Sequence, residues 1–203
     1  HILSQACSIV LYPMLMPLYG MLLFFTSTQT LLPLLPTAYI VIGIVGTMVL
    51  TLVIPIILLL YMWRKGYIDS LHMHDSKQRT TPYIYTLICY CFWAYFLHAT
   101  LQLPIFMLLV AIGAIVALLI VTIINHWWKI SAHLTGLGGL LGGICSISLY
   151  YSIIPTSLII TMLILSLLVM YARLYLNVHT PMQVIAGYFL GLICTFTPNF
   201  IIY

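Results

Sequence analysis

Residues 104–124 have the sequence PIFMLLVAIGAIVALLIVTII, without a single charged side chain. A helix needs about 20 predominantly apolar residues to cross a hydrocarbon core of roughly 30 Å, so this stretch predicts a transmembrane span. Comparable apolar stretches occupy residues 7–25, 38–62, 82–99, 132–151, 156–173 and 182–202. We therefore predict an all-α polytopic bundle of seven spans, or six if the first lies along the interface. It forms one transmembrane domain over residues 1–203.

The composition excludes other classes of protein. Apolar residues make up 64% of the chain and charged residues 4%, whereas a soluble domain has about 25% charged residues. Disorder requires the opposite balance of low hydrophobicity and high charge. The six Lys and Arg residues form no run that could follow a nucleic-acid backbone, so no nucleic-acid partner is expected.

The charged residues occur in three of the connecting segments. Residues 63–81, 125–131 and 173–180 hold every charge, whereas the segments 26–37, 100–103 and 152–155 hold none. Two spans separate each charged segment from the next, and an even number of crossings returns the chain to the same side. All charge is therefore predicted to gather on one side of the membrane.

Each charged segment also leads into a predicted helix start. Thr81-Pro82, Ser131 and Thr180-Pro181-Met182-Gln183 have the residue types of helix N-caps and of a capping box. Helix N-termini present free N–H groups and the positive end of the helix dipole. Together with the nearby cations, they predict a phosphate site whose candidate ligands are Lys77, Arg79, Lys129 and Arg173.

Small residues predict the closest helix contacts. Gly138 and Gly142, and likewise Gly187 and Gly191, have the spacing that lets two membrane helices approach closely.

Three segments resemble the motifs of the type 2 phosphatidic acid phosphatases, over about residues 70–190. Residues 172–183, with the sequence ARLYLNVHTPMQ, resemble the third motif, SRx5HxxxD, and keep its spacing from Arg173 to His179. Ile130-Ser131-Ala132-His133 resembles the second motif, PSGH. Residues 77–82 take the place of the first motif, Kx6RP.

The resemblance implies a membrane lipid phosphatase that needs no metal or other cofactor and acts on a lipid phosphate or pyrophosphate. His179 would be the nucleophile that forms a phosphohistidine, and His133 the general acid. Lys77, Arg79, Ser131 and Arg173 would hold the phosphoryl oxygens, with Lys129 as an accessory cation. The resemblance further places the protein in a bacterial inner membrane with its site facing the periplasm, whereas the positive-inside rule alone would place the charged side in the cytoplasm.

The sequence departs from these motifs at several positions. Gln183 replaces the Asp that would hold the nucleophile; it could accept the same hydrogen bond or cap the last helix. Asp75 could supply the missing carboxylate, and His72 lies seven residues before Arg79, where the first motif has Lys.

The departures leave two further functions open. A degenerate relative could bind or transport a phosphorylated lipid without hydrolysing it. A haem-bearing electron carrier with His ligands from different spans is the third class.

Overall fold

The computed structural model describes residues 2–31, 35–69, 77–152 and 154–202. The helices are α1 (Ile2–Val10), α2 (Met16–Leu31), α3 (Thr37–Met48), α4 (Ile54–Arg64), α5 (Lys77–Tyr95), α6 (Ile105–Ile124), α7 (Ala132–Tyr151), α8 (Thr156–Tyr175) and α9 (Pro181–Ile202). No strand occurs within those four ranges. The predicted all-α fold is confirmed.

Six helical segments within the described ranges are long and apolar enough to cross a membrane: Cys7–Thr26, Thr37–Arg64, Ile105–Ile124, Ala132–Tyr151, Thr156–Tyr175 and Pro181–Ile201. The chain is an integral membrane protein. The predicted span at 82–99 is not among the six, because α5 is less apolar than the others.

Helix α5 nevertheless runs the length of the bundle. Near its start, Pro82 faces the same small cleft as Met62 at the end of α4. Beyond its other end, the Leu101 carbonyl oxygen accepts a hydrogen bond from the Tyr39 hydroxyl at the start of α3 (2.6 Å). The α5 helix therefore runs antiparallel to α3 and α4 and connects the two ends of the bundle.

Prolines modify two of the predicted spans. The first span is interrupted after Tyr12 by a 3₁₀ turn over Pro13–Leu15, whereas Pro17 is accommodated in the first turn of α2. The second span is continuous, but a π-helical turn over Val49–Val53 precedes Pro55. Proline has no N–H to donate to the preceding turn, and a local change of helical pitch accommodates that loss.

The predicted start of α5 at Thr81-Pro82 is wrong. The helix begins one turn earlier, at Lys77, and Pro82 lies within it. The Gln78 side chain holds this first turn by hydrogen bonds in both directions with Asp69. Pro82 is the sixth residue of α5 and has no N–H, so the helix loses one main-chain hydrogen bond, to the Gln78 carbonyl oxygen.

Helices α7 and α9 form the closest pair, and their glycines explain the contact. A Cβ atom at Gly138 or Gly142 would overlap the main chain of α9, and one at Gly187 or Gly191 would overlap the main chain of α7. The prediction of close approach at these glycines is confirmed. The pair also aligns the starts of the two helices, since the Ser131 N–H donates to the Gln183 carbonyl oxygen (3.2 Å).

Candidate functional site

A cavity of about 1110 Å³ extends between the helices from the charged end of the bundle. Its wall at that end brings together residues from all three charged segments: Arg79, Lys129, His133, Arg173 and His179. The predicted meeting of the charged segments at one end is confirmed for these residues.

The cations of this site lie on separate elements. Arg79 is on the first turn of α5 and is buried, with 9% of its surface exposed. Its side chain interacts with that of Tyr83, one turn further along the same helix. Arg173 is in the last turn of α8, and Lys129 is in the segment between α6 and α7. Two helices and one loop therefore have to fold together before these cations meet.

The turn after α8 positions His179. Asn177 has φ 51°, the left-handed conformation that Asn tolerates better than most residues. The chain changes direction after α8, and the Val178 N–H holds this turn by donating to the Arg173 carbonyl oxygen (3.3 Å). His179 is thereby returned to the cavity beside Arg173, two residues before α9 begins.

The hydrogen bond of His179 fixes its tautomer. Its Nδ1 lies 3.1 Å from the main-chain carbonyl oxygen of Lys129. Because a carbonyl oxygen can only accept, Nδ1 carries the proton. In the neutral imidazole the lone pair is then on Nε2.

The surroundings of His179 keep its imidazole neutral. Burial, and then the positive charges of Arg173 and Arg79, together lower the pKa of His179 from its ordinary value to about 4. The pKa of Lys129 is also lowered, chiefly by burial and then by the same two arginines. At neutral pH, His179 therefore has an available lone pair on Nε2.

The N-terminal segment contributes two residues that the sequence analysis missed. The Nε2–H of His133 donates to the Ser8 carbonyl oxygen (3.1 Å), and Arg173 Nη1 donates to the Ser8 hydroxyl (3.4 Å). The ring of Tyr12 contacts that of His133 edge-to-face, with centroids 5.5 Å apart. Ser8 and Tyr12 have no charge and no motif, so only their position after folding identifies them.

Ser131 does not lie where a phosphate ligand is expected. It is fully buried at the start of α7 and is not among the residues that line the cavity. It is the N-cap residue, as predicted, but its hydroxyl makes no capping hydrogen bond and has no partner. The closeness of α7 to α9 buries this side chain away from the cations.

Gln183 has the capping role. Its Oε1 accepts a hydrogen bond from the Thr180 N–H (3.0 Å) at the start of α9. The imidazole of His179 bonds to the Lys129 carbonyl oxygen, so the expected bond between Gln183 and His179 is replaced by one to the main chain.

Several candidates are outside the described part of the chain. His72 and Asp75 are in residues 70–76, and the side chain of Lys77 is likewise outside it, although its main chain begins α5. Within the described ranges no group of three or more His, Cys, Asp or Glu side chains could hold a metal ion.

The described residues give the cavity a strongly positive end. Arg79, Lys129 and Arg173 line it, and no described carboxylate does. Asp69, the acidic residue within the described ranges, bonds to Gln78. The Nε atom of Arg173 is buried and has no hydrogen-bond partner among the described residues, so this end of the cavity is suited to an anion.

The fold and the site together define an integral membrane helical protein with a cationic cavity at one end of the bundle. Comparisons of the chain with protein-family models, with curated proteins and with solved structures found no match.

Proposed function

We propose that the protein is an integral membrane phosphatase that hydrolyses a lipid phosphate or pyrophosphate through a phosphohistidine. One observation carries the proposal: a neutral histidine with its Nε2 lone pair available lies in the same cavity wall as two arginines and a second histidine. The roles of these residues come from the resemblance to the type 2 phosphatidic acid phosphatases, which makes His179 the nucleophile, His133 the general acid, and Arg79 and Arg173 phosphate ligands.

In the first step, the Nε2 lone pair of His179 attacks phosphorus. The bond from phosphorus to the lipid oxygen breaks, and its electron pair leaves with that oxygen. Arg79 and Arg173 hold the phosphoryl oxygens, where guanidinium groups can bond in bidentate fashion. The imidazolium that forms keeps its Nδ1–H bond to the Lys129 carbonyl oxygen, which favours the charged ring.

His133 is the acid and base of the proposal. Its Nε2–H is already bonded to Ser8, so Nδ1 is the atom that exchanges protons. Protonated at Nδ1 beside the anionic substrate, it gives its proton to the leaving lipid oxygen. In the second step the same atom takes a proton from the water that attacks phosphorus, and the nitrogen–phosphorus bond breaks with its electron pair returning to His179.

The direct test is phosphate release from a panel of lipid phosphates by purified protein. Wild-type protein should release phosphate without added metal, and His179→Ala should not. His126→Ala is the matched control, because His126 is exposed and is not among the cavity-lining residues. Full activity of His179→Ala would reject the assigned nucleophile.

One observation favours a second candidate, a protein that binds or transports a phosphorylated lipid without cleaving it. The acceptor for His179 is a neutral carbonyl, and the Gln183 side chain caps α9. In the serine-protease triad, losing the corresponding Asp charge costs about 10⁴ in kcat. Binding of a lipid phosphate, without phosphate release from any member of the panel, would select this candidate.

For location, we propose a bacterial inner membrane with the cationic end facing the periplasm, as the family resemblance implies. Tyr67 is exposed beside the charged end, so Tyr67→Cys in a background without the native cysteines provides a probe. Labelling of intact cells by a membrane-impermeant maleimide is the expected result. Labelling only after cell lysis would place the site in the cytoplasm.

A further inference from the structure

Two neutral hydroxyl groups bond to the arginines at the cationic end of the cavity. The Arg173 Nη1 donates to the Ser8 hydroxyl (3.4 Å), and the Arg79 side chain is hydrogen-bonded to that of Tyr83. All four residues line the cavity. Ser8 belongs to α1, whereas Tyr83 lies on α5 together with Arg79. Each guanidinium group therefore has a neutral hydrogen-bonded neighbour before any anion binds.

A second hydrogen bond fixes the direction of the Ser8 hydroxyl. Its Oγ–H donates to the Ser4 carbonyl oxygen, one turn earlier in α1 (2.9 Å). Because a hydroxyl has one proton and two lone pairs, Oγ is left as an acceptor, which is what an arginine requires. The main chain of Ser8 is held as well, since its carbonyl oxygen accepts the Nε2–H of His133 (3.1 Å).

The Tyr83 hydroxyl is an acceptor in the same way. An arginine side chain can only donate, so in the bond with Arg79 the phenolic oxygen accepts. The proton of the Tyr83 hydroxyl has no acceptor within the described ranges. A phosphate oxygen bound beside Arg79 could accept this proton, so Tyr83 would hold the arginine and bind the anion as well.

Neutral partners leave the positive charge of the arginines in place. A carboxylate in either position would bind the guanidinium group more strongly, but it would cancel the charge that attracts an anion. Among the described residues no carboxylate lines the cavity. The two hydroxyls therefore orient the arginines without lowering the net positive charge of this end.

We propose that Ser8 and Tyr83 are positioning residues, which hold Arg173 and Arg79 in the orientation that binds an anion. This inference rests on the proposed function for the anion site but not on turnover. Side chains that are oriented beforehand lose less conformational freedom when the ligand binds, which favours affinity. Removal of either hydroxyl should therefore weaken anion binding, although no charge is removed from the cavity.

Equilibrium binding of inorganic phosphate to the purified protein tests the inference without turnover. Ser8→Ala and Tyr83→Phe should each raise the Kd for phosphate by between about twofold and tenfold, the effect of one hydrogen bond. Ser8→Thr keeps a hydroxyl at the same position and should restore most of the wild-type affinity.

Two matched controls remove the same groups away from the cavity. The Ser148 hydroxyl donates to the Ile144 carbonyl oxygen one turn earlier (2.6 Å), as Ser8 does to Ser4, and Tyr85 is an exposed tyrosine of α5. Neither Ser148 nor Tyr85 is among the residues that line the cavity. Ser148→Ala and Tyr85→Phe should therefore leave the Kd for phosphate unchanged.

The nitrogen chemical shifts of the His133 ring distinguish loss of the Ser8 hydroxyl from displacement of α1. Ser8→Ala keeps the main-chain carbonyl, so His133 should remain protonated at Nε2. Weaker phosphate binding with this tautomer retained is the expected result. Weaker binding together with a changed tautomer would overturn the positioning role of the Ser8 hydroxyl, because α1 would then have moved.

The possible outcomes separate the two proposals. Unchanged phosphate affinity in Ser8→Ala and Tyr83→Phe would overturn this inference, and so would a wild-type protein that binds no phosphate. Weaker phosphate binding in both variants, without phosphate release from any lipid by the wild type, would support this inference and reject the phosphatase. Phosphate release by the wild type, with unchanged affinity in both variants, would do the reverse.

Discussion

The imidazole Nδ1 of His179 lies 3.1 Å from the main-chain carbonyl oxygen of Lys129. This hydrogen bond joins the segment after α8 to the segment before α7. This bond fixes the tautomer of the histidine without a charged partner. A main-chain acceptor cannot be seen in a sequence motif, because any residue type can supply it.

The acid limit of turnover should reflect this environment. His179 must be neutral to attack phosphorus, and its pKa is lowered from 6.5 to about 4. Its contribution to kcat/KM should therefore stay constant from pH 7 to about pH 5 and fall only as the pH approaches 4. An acid limb assigned to His179 near pH 6.5 would contradict the buried, neutral imidazole.

Removing a neighbouring charge should move that limit. Among the neighbouring charges, that of Arg173 lowers the His179 pKa most. Arg173→Gln should therefore raise this pKa towards 6.5. NMR titration of the His179 ring without substrate measures the shift independently of phosphate binding. Arg64→Gln, a cation that is not among the cavity-lining residues, is the control and should leave the pKa where it is.

Gln183→Ala should affect stability more than chemistry. It removes the acceptor for the Thr180 N–H at the start of α9, and losing a helix cap costs about 1 kcal/mol. We expect a lower midpoint of thermal unfolding in detergent, with kcat changed by less than about threefold. A loss of kcat of a hundredfold or so, at unchanged stability, would instead assign Gln183 to catalysis.

The packing of α7 against α9 provides a matched pair of substitutions. A Cβ at Gly138 would overlap the Tyr188 carbonyl oxygen, whereas a Cβ at Gly139 would lie 3.5 Å from its nearest neighbour, a methyl group of Thr195. Gly138→Ala should therefore destabilise the protein by about 1–3 kcal/mol, the usual cost of overpacking. Gly139→Ala should be close to neutral in the same unfolding assay, and equal effects would contradict the close helix pair.

The sequence was sufficient for the fold class, for most helix limits and for the gathering of charge at one end. Long apolar stretches and the even number of spans between charged segments carry that information directly. The sequence was insufficient to locate the start of α5 at Pro82. The helix begins before this proline, and the hydrogen bond between Gln78 and Asp69 holds the preceding turn.

The site was only partly predictable. Arg79, Lys129, His133, Arg173 and His179 could be selected by charge and spacing, and the structure brings them to one cavity. Ser8 and Tyr12 could not, because they belong to an apolar segment whose contacts with His133 and Arg173 form only in the folded chain. Ser131 was misplaced because the close contact of α7 with α9 turns an apparent cavity residue into a buried one.

The most direct measurement is rapid acid-free quenching of the purified protein with a lipid phosphate, followed by mass spectrometry of its peptides. The account predicts that one phosphoryl group is attached to His179, that the attachment is labile to acid, and that it is absent from His179→Ala. Phosphate release with no phosphorylated His179, under conditions that preserve phosphohistidine, would contradict the account.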